Sequence, residues 1–161
     1  MGMILALREV DENQINDLLA DPASIHDFLE EEIGEIDLDK AWHGIHYLLT
    51  GTSYEGEEPF CYLLQGGTPI GDEDVGYGPA RAFRPEQVAR WADALSPITA
   101  DDLRERYNSK EMTALDIYPT IWDRPEEEAD TIDYLLTNYE GLQSFLQQTK
   151  EENKGVLVYI A

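Results

Sequence analysis

The sequence predicts an α+β fold, a mainly helical single domain over residues 1–161 packed on a small sheet that includes the N- and C-terminal strands. Three observations lead there. Both ends of the chain are short apolar runs, and Val156-Leu157-Val158-Tyr159-Ile160 follows Gly155 with the β-branched and aromatic content of a strand. Between the ends, most segments space their apolar residues three and four apart, as helices do. The middle of the chain is rich in Gly and Pro and then offers one short apolar run that can join the terminal strands.

Residues 3–8 read as the first strand. Asp11 is a capping residue for a helix near 12–20, whose apolar stripe is Ile15, Leu18 and Leu19. Pro22 and Ser24 open a second helix that turns Ile25, Phe28, Leu29 and Ile33 inward, and Gly34 stops it. The clearest helix runs from Asp37 to Thr50, with Leu38, Trp42, Ile45 and Leu49 on one face and Gly51 as its stop. Pro59 to Leu64 reads as another short helix. Residues 66–78 hold five glycines and form a long loop, the kind of segment that often carries function. Residues 80–83 suit a short strand, Pro85 the first turn of a helix through Leu95, Thr99 and Ser109 the caps of two more helices. Ile117-Tyr118-Pro119 breaks the pattern. A long helix from about Glu126 to Lys150 carries Ile132, Leu135, Tyr139, Leu142 and Leu146 on one side.

Charge narrows the function classes. The 161 residues hold 34 acids and 11 bases, a net of −23, with 42% hydrophobic and 10% aromatic residues. Those aromatics set the chain apart from a disordered acidic tail. The charge argues against nucleic acid and anionic membrane as partners, since both present phosphate, and it suits a basic protein partner. Residues 1–75 contain 18 acids and 2 bases, the rest 16 and 9, so the N-terminal half is the more acidic. The opening residues lack the basic start and long apolar core of a secretory signal, no run approaches the ~20 apolar residues of a membrane helix, and Cys61 stands alone; the expected location is cytoplasmic. Cys61, within Pro59-Phe60-Cys61-Tyr62-Leu63-Leu64, is expected to pack in the core, with a nucleophile as the rival reading.

Four constellations carry residue types suited to chemistry. Asp39, His43, His46 and Thr50 fall on one helical face, so Asp39, His43 and His46 have metal-ligand types at neighbouring positions; the alternative is two half-buried helix histidines, one paired with Asp39. The spacing matches no established metal motif, and no metal or other cofactor is assigned. In Gly76-Tyr77-Gly78-Pro79-Ala80-Arg81 the glycines can bring backbone N–H groups close to a ligand, and Arg81 can hold a carboxylate or phosphate, or serve as an internal partner for one of the many acids. Tyr118 and Trp122 flank a Pro-held turn and can line a pocket or close the core. Glu30-Glu31-Glu32, Asp72-Glu73-Asp74 and Glu126-Glu127-Glu128 are acidic runs; the first is the candidate protein interface, and the last suits a helix N-terminus. No catalytic residue is assigned, because no Gly-x-Ser-x-Gly, His-Glu-x-x-His or Cys-x-x-Cys pattern occurs.

Met1-Gly2-Met3 opening a strand, the run from Leu38 to Gly51 with Lys40, Trp42, His46, Leu49, Thr50 and Gly51, the Gly78-Pro79-Ala80-Arg81 loop and Ile117-Tyr118-Pro119 together resemble the YfbM-like family. The resemblance spans nearly the whole chain. It implies a bacterial cytosolic α+β domain of unknown function, brings no catalytic residues, and marks Lys40, Trp42, His46, Tyr77, Gly78, Arg81, Tyr118 and Trp122 as family-type positions. Two functional readings stand beside it. One is a non-catalytic acidic protein-binding module, such as a toxin-neutralising immunity protein, whose surface mimics phosphate and meets a basic partner through Glu30, Glu31 and Glu32. The other is a small-molecule-binding or enzymatic domain with a pocket of Tyr77, Arg81, Tyr118 and Trp122 and a helix histidine, His43 or His46, as acid or base.

Overall fold

The computed structural model describes residues 2–31 and 33–161, so Met1 of the opening motif and Glu32 of the acidic run lie outside the described residues. Five strands form one antiparallel sheet in the order β2-β1-β5-β4-β3: β1 is Leu5–Val10, β2 Glu35–Asp37, β3 Thr68–Pro69, β4 Arg81–Phe83 and β5 Gly155–Ile160. The two terminal strands pair along their full length at its centre, Leu5 opposite Ile160 and Val10 opposite Gly155. Alternation of side chains across the pleat then assigns the two faces. Leu5 and Leu7 of β1, Val156 and Val158 of β5 and Phe83 of β4 enter the larger core, whereas Val10, Leu157 and Ala82 enter the smaller one.

The smaller core is covered by α1 (Glu12–Ala20) and α2 (Ile25–Glu30), which contribute Ile15, Leu18 and Ile25. Asp11 caps α1 as expected: its carboxylate accepts from the Gln14 N–H at 2.7 Å while the Gln14 side chain accepts from the Asp11 N–H. Pro22–Ser24 form a 3-10 turn before α2, and α2 ends at Glu30, earlier than the apolar spacing suggests. Ile33, expected inside, is 71% exposed. The reason is β2. Gly34 takes a left-handed φ of 69°, the chain reverses, and Ile36 pairs opposite Leu7.

The larger core is covered by α3 (Trp42–Thr50), α4 (Pro85–Leu95), α5 (Ala100–Arg106), α6 (Ser109–Ala114) and α7 (Glu128–Glu151). α3 starts later than its apolar pattern predicts, because Asp39 has a φ of +48° that no helix accepts; Leu38 is still buried. Every residue of α3 from Trp42 to Leu49 is buried, so the helix threads the core and has no solvent face in that stretch. Gly44 makes this possible. A Cβ there would lie 2.7 Å from the Leu135 side chain of α7 and 3.1 Å from the Trp122 ring. Asn108, one residue before the expected Ser109, caps α6, and Glu57–Gln65 winds through successive turns in place of the expected short helix. Among the described residues no helix is long and apolar enough to cross a membrane.

Candidate functional site

The histidines of α3 are both fully buried, at 0% exposure. His43 is pinned at both ring nitrogens: Nδ1 accepts from the Tyr118 backbone N–H at 2.8 Å, and Nε2 lies 2.7 Å from the Ser53 carbonyl. That pattern requires the neutral ring with its proton on Nε2. Burial pushes its pKa down, against the Ser53 carbonyl, which raises it. The ring is stacked on Trp42 at 5.2 Å and meets Tyr54 at 4.9 Å, and Trp42 stacks in turn on Tyr118 at 5.4 Å. The Trp42 indole N–H donates to the Met3 carbonyl, and the Tyr118 hydroxyl accepts from the Met3 N–H. Tyr118 and Lys40 also close round Gly2, where an added Cβ would lie 2.6 Å from the hydroxyl and 2.5 Å from the lysine Cε. The family-type positions Lys40, Trp42 and Tyr118 therefore do converge, with His43, and what they grip is the start of the chain.

His46 differs. Neither ring nitrogen has a partner in good hydrogen-bonding geometry, although the Glu55 backbone lies close enough to favour the protonated ring weakly. Desolvation dominates and drives its pKa down to about 4. Asp39 stands outside the helix and is taken up elsewhere: its carboxylate accepts from the Tyr134 hydroxyl at 2.6 Å, and that hydroxyl accepts from the Lys40 N–H. The expected shared face of Asp39, His43 and His46 is thereby broken, because the helix begins at Trp42. Among the described residues no three His, Cys, Asp or Glu side chains are grouped as metal ligands.

Arg81 and Tyr77 also separate. Arg81 meets no carboxylate among the described residues: its guanidinium donates to the carbonyls of Leu63 at 2.6 Å and Gly66 at 3.1 Å and lies near the Phe83 ring. Burial lowers its pKa to about 10. The fork closes the turn-rich segment 57–66, whose carbonyls a sheet or helix would otherwise satisfy. The N–H groups of Gly76 and Gly78, which the sequence offers to a ligand, both donate to Asp74, and these two bonds hold the Asp74 carboxyl below its usual range. Tyr77 is 60% exposed, tied to β5 only by its backbone N–H on the Ile160 carbonyl. Trp122 is buried and donates to the Ile117 carbonyl. The expected Tyr77/Arg81/Tyr118/Trp122 constellation is thus divided among separate structural tasks. Cys61 is buried, and desolvation raises its thiol pKa, in keeping with a packed residue.

On the opposite side of the sheet, α1 and α2 enclose a groove of about 350 Å³ lined by Gln14, Asp17, Leu18, Ser24, Asp27, Phe28 and Glu31. Leu18 and Phe28 provide its apolar floor; Asp17, Asp27 and Glu31 are exposed at its rim, and Glu30 is exposed nearby. Beneath it lies Arg8 of β1, only 5% exposed. Its guanidinium sits 4.3 Å from the Phe28 ring centroid and donates to the carbonyls of Phe28 and Glu31, so it caps the C-terminal end of α2 from inside. The sequence carries a signal for this groove in the pairs Asp17-Leu18 and Asp27-Phe28, each setting an acid beside an apolar residue, with Glu31 one turn beyond Asp27.

Helices on both faces of an antiparallel sheet whose middle is made of the terminal strands define an α+β class of protein. The chain belongs to the family described as a domain of unknown function (DUF1877), whose model matches residues 1–159. It is similar to Protein YfbM of Escherichia coli strain K12, with 26% identity over 168 residues and 99% of each chain covered. Its structure is similar to that described as the crystal structure of a protein of unknown function YfbM from Escherichia coli, with a TM-score of 0.78, 26% identity, and 98% of this chain and 99% of that chain covered.

Proposed function

We propose that the protein is a non-catalytic acidic protein-binding module, of the kind that neutralises a toxin by occupying a basic groove meant for phosphate. One observation carries this reading. The first 75 residues contain only two bases, Arg8 and Lys40; Arg8 is buried under α2, and Lys40 is half-buried with its side chain beside Gly2. Arg84 pairs with Glu12 at one end of the α1/α2 face, whereas the groove's rim acids Asp17, Asp27 and Glu31 enter no ion pair among the described residues and surround an apolar floor. Such a surface raises the association rate of a basic partner through long-range attraction, and the Leu18/Phe28 floor adds desolvated contact area. Ile33, exposed two residues after Glu31 in sequence, offers a further apolar contact.

The test is an affinity capture from extract of the organism that carries the gene, using the full chain and two charge-reversed variants. The wild type retains a basic protein at low salt and releases it at about 0.5 M salt, where the screening length falls to a few ångströms. Asp17→Lys, Asp27→Lys and Glu31→Lys together abolish retention, and an equal reversal at Glu126, Asp130 and Glu140 leaves it. Equal loss in both variants, or no basic protein retained by the wild type, refutes the reading.

A further inference from the structure

A second concavity, of about 400 Å³, lies on the larger-core side between α6 and the start of α7. It is lined by Ser109, Lys110 and Thr113 of α6, Trp122, Asp123 and Pro125 of the connecting segment, and Glu128, the first residue of α7. The volume falls in the range of pockets that hold small ligands. Trp122 is fixed there by two contacts unrelated to the cavity: its indole N–H donates to the Ile117 carbonyl at 2.7 Å, and its ring meets Tyr107 edge-on at 6.3 Å. It forms a rigid apolar floor together with Pro125.

The charged residues at the walls are exposed and, among the described residues, without ionic partners. Arg124 and Glu127, which alternate with them in sequence, pair with each other at 3.6 Å. Of the two arginines of α5, Arg104 turns to Asp101 and Asp133, and Arg106 donates to the Leu48 carbonyl. Lys110, Asp123 and Glu128 enter no ion pair or side-chain hydrogen bond among the described residues. In a chain of net charge −23, an exposed lysine that pairs with none of the described acids is available to a ligand. The same cavity thus offers one cation and two carboxylates around an apolar floor.

We propose that this cavity binds a small zwitterion with an apolar body, an α-amino acid or a short peptide terminus, taking its ammonium on Asp123 and Glu128 and its carboxylate on Lys110. The Ser109 hydroxyl is a further donor for the carboxylate, and the Trp122/Pro125 floor takes the side chain. A simple amine lacks a partner for Lys110 and meets repulsion from it. A simple carboxylate is repelled by Asp123 and Glu128 and by the field of the whole chain. This site is independent of the acidic module: it lies on the other side of the sheet and uses none of the α1/α2 residues.

The experiment uses the full chain and three probes that share one body: L-phenylalanine, phenethylamine and 3-phenylpropionate. Binding is followed by the shift of the Trp122 indole N–H resonance, assigned with a Trp122→Phe variant. L-Phenylalanine is expected to saturate the shift, and each probe lacking one charge to bind at least about ten-fold more weakly, the loss of one charge-assisted contact. Lys110→Met reduces L-phenylalanine to the affinity of phenethylamine and does not weaken phenethylamine; Asp123→Asn with Glu128→Gln weakens both. These are surface substitutions, and unchanged thermal unfolding confirms intact folds. The proposal is overturned if none of L-phenylalanine, L-leucine and glycyl-L-phenylalanine shifts the resonance up to its solubility, or if phenethylamine binds as tightly as L-phenylalanine and Lys110→Met changes neither.

Discussion

Replacing His46 by leucine separates the ionisation of one buried group from everything else that titrates in this acidic chain. In the native protein the His46 ring has no exposure, and its pKa is driven from 6.5 to about 4 by desolvation, with a small further lowering from His43. In the unfolded chain it returns to its ordinary value. Above pH 6.5 the ring is neutral in both states and costs the fold nothing through ionisation. As pH falls below 6.5 the unfolded state takes the proton first, so stability declines until the native ring titrates near pH 4. The fall from 6.5 to about 4 corresponds to about 3 kcal/mol lost across that window. Leucine is close to histidine in volume and has no polar nitrogens to leave unsatisfied, so at pH 7.5 the variant is expected within about 1 kcal/mol of the wild type or above it. Urea unfolding of both proteins, from pH 7.5 to 4, measures the effect. The difference between the two curves is the informative quantity, because the carboxylates titrating in the same range are common to both and cancel. The expected outcome is a gap that opens by about 3 kcal/mol toward pH 4 with unchanged m-values. Parallel curves, or a variant more than about 2 kcal/mol weaker at pH 7.5, would refute the assignment of His46 as a buried neutral ring without good partners.

Other substitutions probe single contacts of the larger core and its surrounding segments. Arg81→Lys keeps the charge but loses the fork that spans the Leu63 and Gly66 carbonyls; thermal unfolding should show a loss of about 1–3 kcal/mol. Tyr134→Phe removes the hydroxyl that joins the Lys40 N–H to Asp39. It is expected to cost about 1–2 kcal/mol by denaturant titration, and Tyr134→Phe combined with Asp39→Ala should cost less than the two single changes added together. Gly44→Ala places a methyl against Leu135 and Trp122, and overpacking of about 1–3 kcal/mol should lower the urea midpoint without changing the slope.

The sequence foretells those parts of the fold that depend on neighbours along the chain. The Asp11 and Thr99 caps, the Pro85 start of α4, the apolar stripe of α7 and the strand at Val156–Ile160 all rest on residues within one turn or one pleat. What it misplaces depends on distant pairing. Ile33 belongs by spacing to a helix, but Ile36 finds Leu7 on β1 and the chain unwinds to reach it. Trp42–Leu49 is amphipathic on a helical wheel, yet packing from α7 on one side and the 52–62 segment on the other buries its polar face too, histidines included. The same limit applies to the site. An arginine in an acidic chain suggests a carboxylate partner, and only the path of residues 57–66 reveals that carbonyls take it instead. Asp74 claims the glycine N–H groups two and four residues onward, a short-range bond that the glycines alone do not announce.

The meeting of the chain ends in the middle of the sheet sets the order in which the protein can be made. β1 leaves the ribosome about 150 residues ahead of its principal partner, β5. Until residues 155–160 emerge, β1 has only the three-residue β2 beside it, and β4 has no strand joining it to β1. Closing a loop of about 150 residues is entropically dearer than forming any hairpin, so completion of the sheet is expected to wait for β5. During that wait the unfinished edge of β1 belongs to the most acidic part of the chain, whose mutual repulsion keeps one nascent copy from pairing with another.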